Sequence, residues 1–177
     1  MKKIFIGLVF LIAGFFINIG IGRLDILPNP LGFYFIFKGL TEDTKDYWRF
    51  HDYAKHAKIL MLISSVSFLL LLFQNLGTPV QIIGVIAGIA EEIYLYWLVY
   101  KIIDELQMVG FERQVELMVE KLEKLWNAVI AFMMLAVLFL WVPPIAIILE
   151  LVSLIISFVF LAKFKKTTGA YYASMEE

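Results

Sequence analysis

The chain has 177 residues, is 62 % hydrophobic and has a mean hydropathy of +0.85, far more apolar than a soluble domain, in which roughly half the residues are apolar. Its 15 Lys+Arg nearly balance 16 Asp+Glu, so no basic bias points to nucleic acid. Cysteine is absent, which excludes disulfides, thiolate metal sites, cysteine nucleophiles and palmitoylation together.

Met1-Lys2-Lys3 followed by an apolar run has the charged start of a secretory signal, but no A-x-A-like site follows. The run over 4–22 is long enough to span and is expected as a retained first helix. A crossing helix needs about 20 predominantly apolar residues. Four further runs fit: 59–76, 79–100, 125–142 and 145–162. All four are continuous and lack the alternation of a barrel strand. Helices are then the open-ended way to satisfy backbone polar groups in hydrocarbon.

The sixth candidate is 24–40, LDILPNPLGFYFIFKGL. Pro30 suits the first position of a helix and Asn29 its N-cap, which predicts a short helix from Pro30 to about Leu40. At 1.5 Å per residue it reaches roughly half a membrane, and Leu24–Asn29 supplies the rest in extended form. Broken helices of this kind build sites in many transporters. The fold expected is therefore an all-α polytopic transmembrane bundle with six spans, the second short and proline-broken; the alternative is five spans plus a re-entrant segment. Six crossings with both termini cytoplasmic put every Lys and Arg except Arg23 inside, whereas five strand Lys2 and Lys3 outside. This places the chain in a cell (plasma) membrane.

Between spans, Thr41–Lys58 interleaves charge with Tyr47, Trp48, Phe50 and Tyr53, as in an interfacial helix. The stretch 111–125 spaces Val115, Met118, Leu122 and Leu125 helically and pairs Glu120 with Lys124. It lies on the inner surface, where it offers a protein partner a face, or extends the following span. Pro143-Pro144 makes a tight break, and the C-terminal KFKKTTGAYYASMEE is expected to fray.

Ionisable groups inside a span are costly, on the order of 3 kcal/mol at mid-helix even on insertion scales. Glu91 and Glu92 sit near the centre of one run, and Glu150 lies shortly after Pro143-Pro144. Gly84, Ala87, Gly88 and Glu91 share one helical stripe, Gly7, Gly14 and Asn18 another, and Glu150, Ser153 and Ser157 a third. The expected site is an outward-facing polar cavity lined by Asn18, Arg23, Asp25, Asn29, Glu91, Glu92 and Glu150, with some of Phe33, Tyr34, Tyr94, Tyr96 and Trp97. Fully ionised, the four acids against Arg23 would sum to −3, which a low-dielectric site resists unless a proton or small cationic ligand is bound. The competing account pairs Arg23 with Asp25 at the surface and makes Glu91 and Glu150 protonated interhelical donors.

Glu91-Glu92 is similar to the E-E-x-x-x-R motif of intramembrane CAAX-type proteases, but Tyr96 stands where the arginine belongs. His51 and His56, in the inner polar segment, are spaced i,i+5 and do not share a face for a metal. No complete catalytic set, metal site or cofactor motif is visible, so the expectation is a non-enzyme without a cofactor. Asp25-Ile-Leu-Pro28-Asn29-Pro-Leu-Gly32-Phe33 resembles a D-x-L-P-N-x-x-G-F pattern in uncharacterised small multi-pass membrane proteins of Gram-positive bacteria. That resemblance implies a multi-pass bacterial membrane protein and no activity. In size and layout alone the chain is also similar to the substrate-binding subunits of energy-coupling-factor vitamin transporters. The function expected is a ligand- or cation-binding, transport-related component, with a non-catalytic interaction or assembly subunit as the alternative and a protease-like enzyme as a distant one.

Overall fold

The computed structural model describes residues 1–12, 16–19, 22–25, 29–44, 47–72, 78–115, 117–139 and 141–176. In chain order these form α1 (Lys2–Ile12), β1 (Phe16–Ile19), β2 (Gly22–Asp25), α2 (Asn29–Lys38) with a π-helical continuation over Gly39–Asp43, α3 (Trp48–Leu72), α4 (Thr78–Arg113), α5 (Val119–Leu138) and α6 (Pro143–Glu176). Apart from the short antiparallel β1–β2 pair, the described chain is helical. It divides into two units, Met1–Lys101 and Ile102–Glu177.

The helix expected over 4–22 stops at Ile12, and Phe16–Ile19 pairs with Gly22–Asp25 instead. The sequence supplies the reason: Ile17, Ile19 and Ile21 alternate with Asn18, Gly20 and Gly22, which disfavours helix and suits extended chain. Within the first unit α1 lies close against α2. A Cβ on Gly7 would sit 2.5 Å from the Gly32 carbonyl oxygen, and one on Gly39 the same distance from Ile4. Ile4, Leu8, Phe33, Ile36 and Leu40 fill this contact, with Phe10 and Phe35 at 5.6 Å beside it. At its polar end Asp43 Oδ2 accepts the Lys3 backbone N–H at 2.9 Å and the Met1 amine at 2.8 Å, and Glu42 bridges Lys3 and Lys38. The two lysine hydrogen bonds hold Glu42 down from the usual 4.5 to about 2. Burial pushes Asp43 up, but the amine and backbone hydrogen bonds outweigh it and leave its pKa lowered.

The polar segment 48–58 and the apolar run that follows are one helix, α3. Its buried positions Phe50, Ala54, Ala57, Leu60, Ser64 and Ser67 recur every three or four residues. Hydrogen bonds and ring contacts join His56 to Tyr94, Tyr53 to Trp97 and Ser64 to Glu91, so α3 and α4 run antiparallel.

In the second unit α5 buries Val119, Leu122, Trp126, Val129 and Ala136, and α6 buries Ser153, Ser157, Phe160, Phe164, Thr167, Tyr171 and Ser174. Both sets follow the 3,4 alternation of a coiled-coil seam, and Trp126 meets Phe160 at 5.0 Å. The expected frayed tail is instead the last turns of α6: Tyr171 is fully buried, and Arg113 Nη1 donates to the Ser174 carbonyl at 2.7 Å. The helical reading of 111–125 is broken as well. Gln114 and Met118 have φ of 55° and 52°, and the chain turns between α4 and α5 there.

Both units bury polar side chains among apolar ones and expose many large apolar residues. Ser64, Ser67, Glu91, Ser153 and Ser157 are buried, whereas Leu62, Val66, Leu69, Ile83, Ile86, Ile148, Leu151, Ile155 and Phe158 are exposed. Among the described residues two helical stretches, Trp48–Leu70 and Pro143–Ser174, are long and apolar enough to cross a membrane.

Candidate functional site

Asn29 opens α2, where Pro30 at the next position needs no backbone donor. From there its Nδ2 donates to Glu91 Oε1 at 3.1 Å, and Ser64 Oγ on α3 donates to the same oxygen at 2.8 Å. Glu91 is 6 % exposed. Two helices, α2 and α3, thus each bring a polar side chain to one buried carboxylate of α4. A carboxylate oxygen that accepts two hydrogen bonds offsets part of its desolvation.

Of the residues expected at the site, the structure joins Asn29 to Glu91. Glu92, about 100° further round α4, is exposed and not part of the cluster. Glu150 is exposed on α6 in the second unit, beside the exposed Ile147, Ile148 and Leu151. Asn18 lies opposite Arg23, and Phe16 opposite Asp25, in the β1–β2 register; the side chains of Asn18, Arg23 and Asp25 lie outside the described residues. Gly14 of the proposed small-residue stripes lies outside them too, and Gly84 is described only by its place in α4. Gly7 serves close approach, but a Cβ on Gly88 would meet nothing within 4 Å.

Ser64 was not singled out from the sequence, although Ser64, Ser65 and Ser67 interrupt an otherwise apolar run, a pattern that marks a helix contact. Tyr94 and Trp97, expected to line the site, stand in an aromatic cluster on α3 and α4. There His56 Nδ1 and the Tyr94 hydroxyl are hydrogen-bonded, and the His56 ring meets Trp97 edge-on at 4.9 Å. Tyr53 closes the group at 6.2 Å from Trp97. Phe33 is buried in the α1–α2 contact and Tyr34 is exposed.

A second concave feature lies in the Ile102–Glu177 unit. A cavity of about 500 Å³ is lined by Gln107, Phe111, Gln114, Met118 and Lys121 among others. Thr167 Oγ1 donates to the Leu117 carbonyl at 3.0 Å and fastens its rim to α6.

The chain matches no known protein family, no curated protein and no solved structure.

Proposed function

We propose that the chain is a multi-pass protein of the bacterial plasma membrane, with six crossings and cytoplasmic termini, that binds a proton or small cation at Glu91 as a transport-related component. The observation that carries this reading is the convergence of Asn29 and Ser64 on the buried Glu91 beneath an outer surface of Ile, Leu, Val and Phe. A buried acid is expensive in hydrocarbon, so its retention calls for a partner or a task. At 36 and 34 residues, α4 and α6 are about 50 Å long at 1.5 Å per residue, which exceeds the roughly 30 Å hydrocarbon core and carries one end of each beyond it.

Two experiments test the reading. Single cysteines introduced into the cysteine-free chain at Lys2, Ile26, Lys45 and Gly77 should react with an impermeant maleimide in intact cells at Ile26 and Gly77 only. Methylammonium should raise the Tm of the wild type and not that of Glu91→Gln. Labelling of all four sites, or equal shifts in both proteins, would refute it.

One feature favours a second reading, an assembly subunit. Phe111 is 83 % exposed at the mouth of the cavity formed by the α4–α5 connection. A partner that co-purifies with the wild type and is lost on Phe111→Ala would support that role.

A further inference from the structure

Serine in a membrane helix ordinarily returns its hydroxyl to the carbonyl one turn back. Ser65 does so, donating to Met61 O at 2.7 Å. Ser67 does not. It is 7 % exposed, and its Oγ finds no hydrogen-bond partner among the described residues. A buried hydroxyl left in this state is destabilising, so its place in the fold matters.

Ser67 lies one turn beyond Ser64 on the buried face of α3. Because α3 and α4 are antiparallel, the matching step from Glu91 leads to Gly88, where there is open space. The unsatisfied oxygen therefore lies on the same side of the Ser64–Glu91 contact as Gly88, where an added Cβ would meet nothing within 4 Å. One carboxylate, two hydroxyls and the Asn29 amide offer only oxygen donors once that amide is turned to present Oδ1. Oxygen-only sites select hard cations. Among the described residues no three His, Asp or Glu side chains gather, so the site is short of the charge that divalent ions prefer.

The geometry points to a site for an alkali cation of sodium's class, held by Glu91, Ser64, Ser67 and Asn29 and entered beside Gly88. The inference rests on Glu91 being a cation-binding acid and narrows its ligand from any small cation to a dehydrated alkali ion. In the ion-free protein Ser64 and Asn29 donate to Glu91; in the loaded protein their oxygens and that of Ser67 face the ion.

The test is thermal unfolding of the full chain in detergent, followed by circular dichroism in NaCl, KCl or choline chloride at equal ionic strength. Sodium should raise the Tm saturably over choline, since a ligand bound only to the native state stabilises it. Ser67→Ala should have a Tm in choline at or above that of the wild type, because the unpartnered hydroxyl is gone, and should raise the half-effective sodium concentration about tenfold, the scale of losing one supporting group at an ion site. Glu91→Gln should abolish the response. Equal Tm values in sodium and choline, or a wild-type sodium response in Ser67→Ala, would overturn the site and leave Glu91 as a cap on α2. If methylammonium stabilises the wild type but not Glu91→Gln while sodium does nothing, the alkali-ion site fails and the broader cation reading stands. If neither acts, both fail.

Discussion

Ser64 and Glu91 meet across α3 and α4, hydroxyl to carboxylate at 2.8 Å, with both side chains buried. A hydrogen bond to a charged or buried acid contributes more than its exposed counterpart, because the partner left behind has no water to turn to. Ser64→Ala should therefore destabilise the protein by about 1–2 kcal/mol in denaturant unfolding. In a Ser64→Ala/Glu91→Gln cycle the two changes should be non-additive. Additive effects would mean that the contact is not formed in the folded protein.

The glycines of α1 and α4 predict opposite outcomes for the same substitution. At Gly7 a new Cβ meets the Gly32 carbonyl oxygen at 2.5 Å, and backbone there cannot step aside. Gly7→Ala should lower stability by roughly 1–3 kcal/mol, as overpacking does. At Gly88 the new methyl enters open space, so only helix propensity acts, and Gly88→Ala should be neutral or gain up to about 1 kcal/mol. Thermal unfolding of the two variants side by side checks the contrast.

What could be read from the chain beforehand followed from local chemistry. Asn29-Pro30 announces a helix start wherever it stands, and the acids Glu91 and Glu92 in an apolar run announce a buried group in need of company. The identity of that company depends on the register between α3 and α4, which no local pattern encodes, so Ser64 stayed hidden although its serine-rich run was in view. The β1–β2 pair was masked by the overall apolarity of 4–22, within which the Ile-x-Ile-x-Ile alternation is short. The tail looked frayed because Lys163, Lys165 and Lys166 suggest an end, yet Thr167, Tyr171 and Ser174 continue the same 3,4 seam behind them.

Glu42 links Lys3 of α1 to Lys38 of α2, and its pKa of about 2 sets a pH window. A carboxyl depressed in the folded state stabilises above its unfolded value, near 4.5, and that contribution is lost as the pH falls toward about 2. Asp43, also lowered, acts in the same direction. Acid unfolding of the wild type should therefore steepen below pH about 4.5. Glu42→Gln should be less stable than the wild type at neutral pH and converge with it as the pH falls toward about 2, so its acid limb is flatter; circular dichroism compares the two.

The end of α4 has the hydrogen bonds of a Schellman motif without the residue that usually makes one easy. Val115 N–H reaches the Gly110 carbonyl at 3.0 Å and Gln114 N–H the Phe111 carbonyl at 3.3 Å, which places Gln114 at the position normally taken by glycine. Its φ of 55° confirms the left-handed backbone there, which costs a residue with a Cβ about 1 kcal/mol that glycine does not incur. The missing glycine is also why the sequence read as one helix through 111–125. Gln114→Gly should raise stability by about 1 kcal/mol, and Gln114→Val, β-branched at positive φ, should lower it by more. Limited proteolysis between α4 and α5 reports the same order: slower cleavage for the glycine variant and faster for valine. Equal cleavage of all three would show that the turn is not closed in this way.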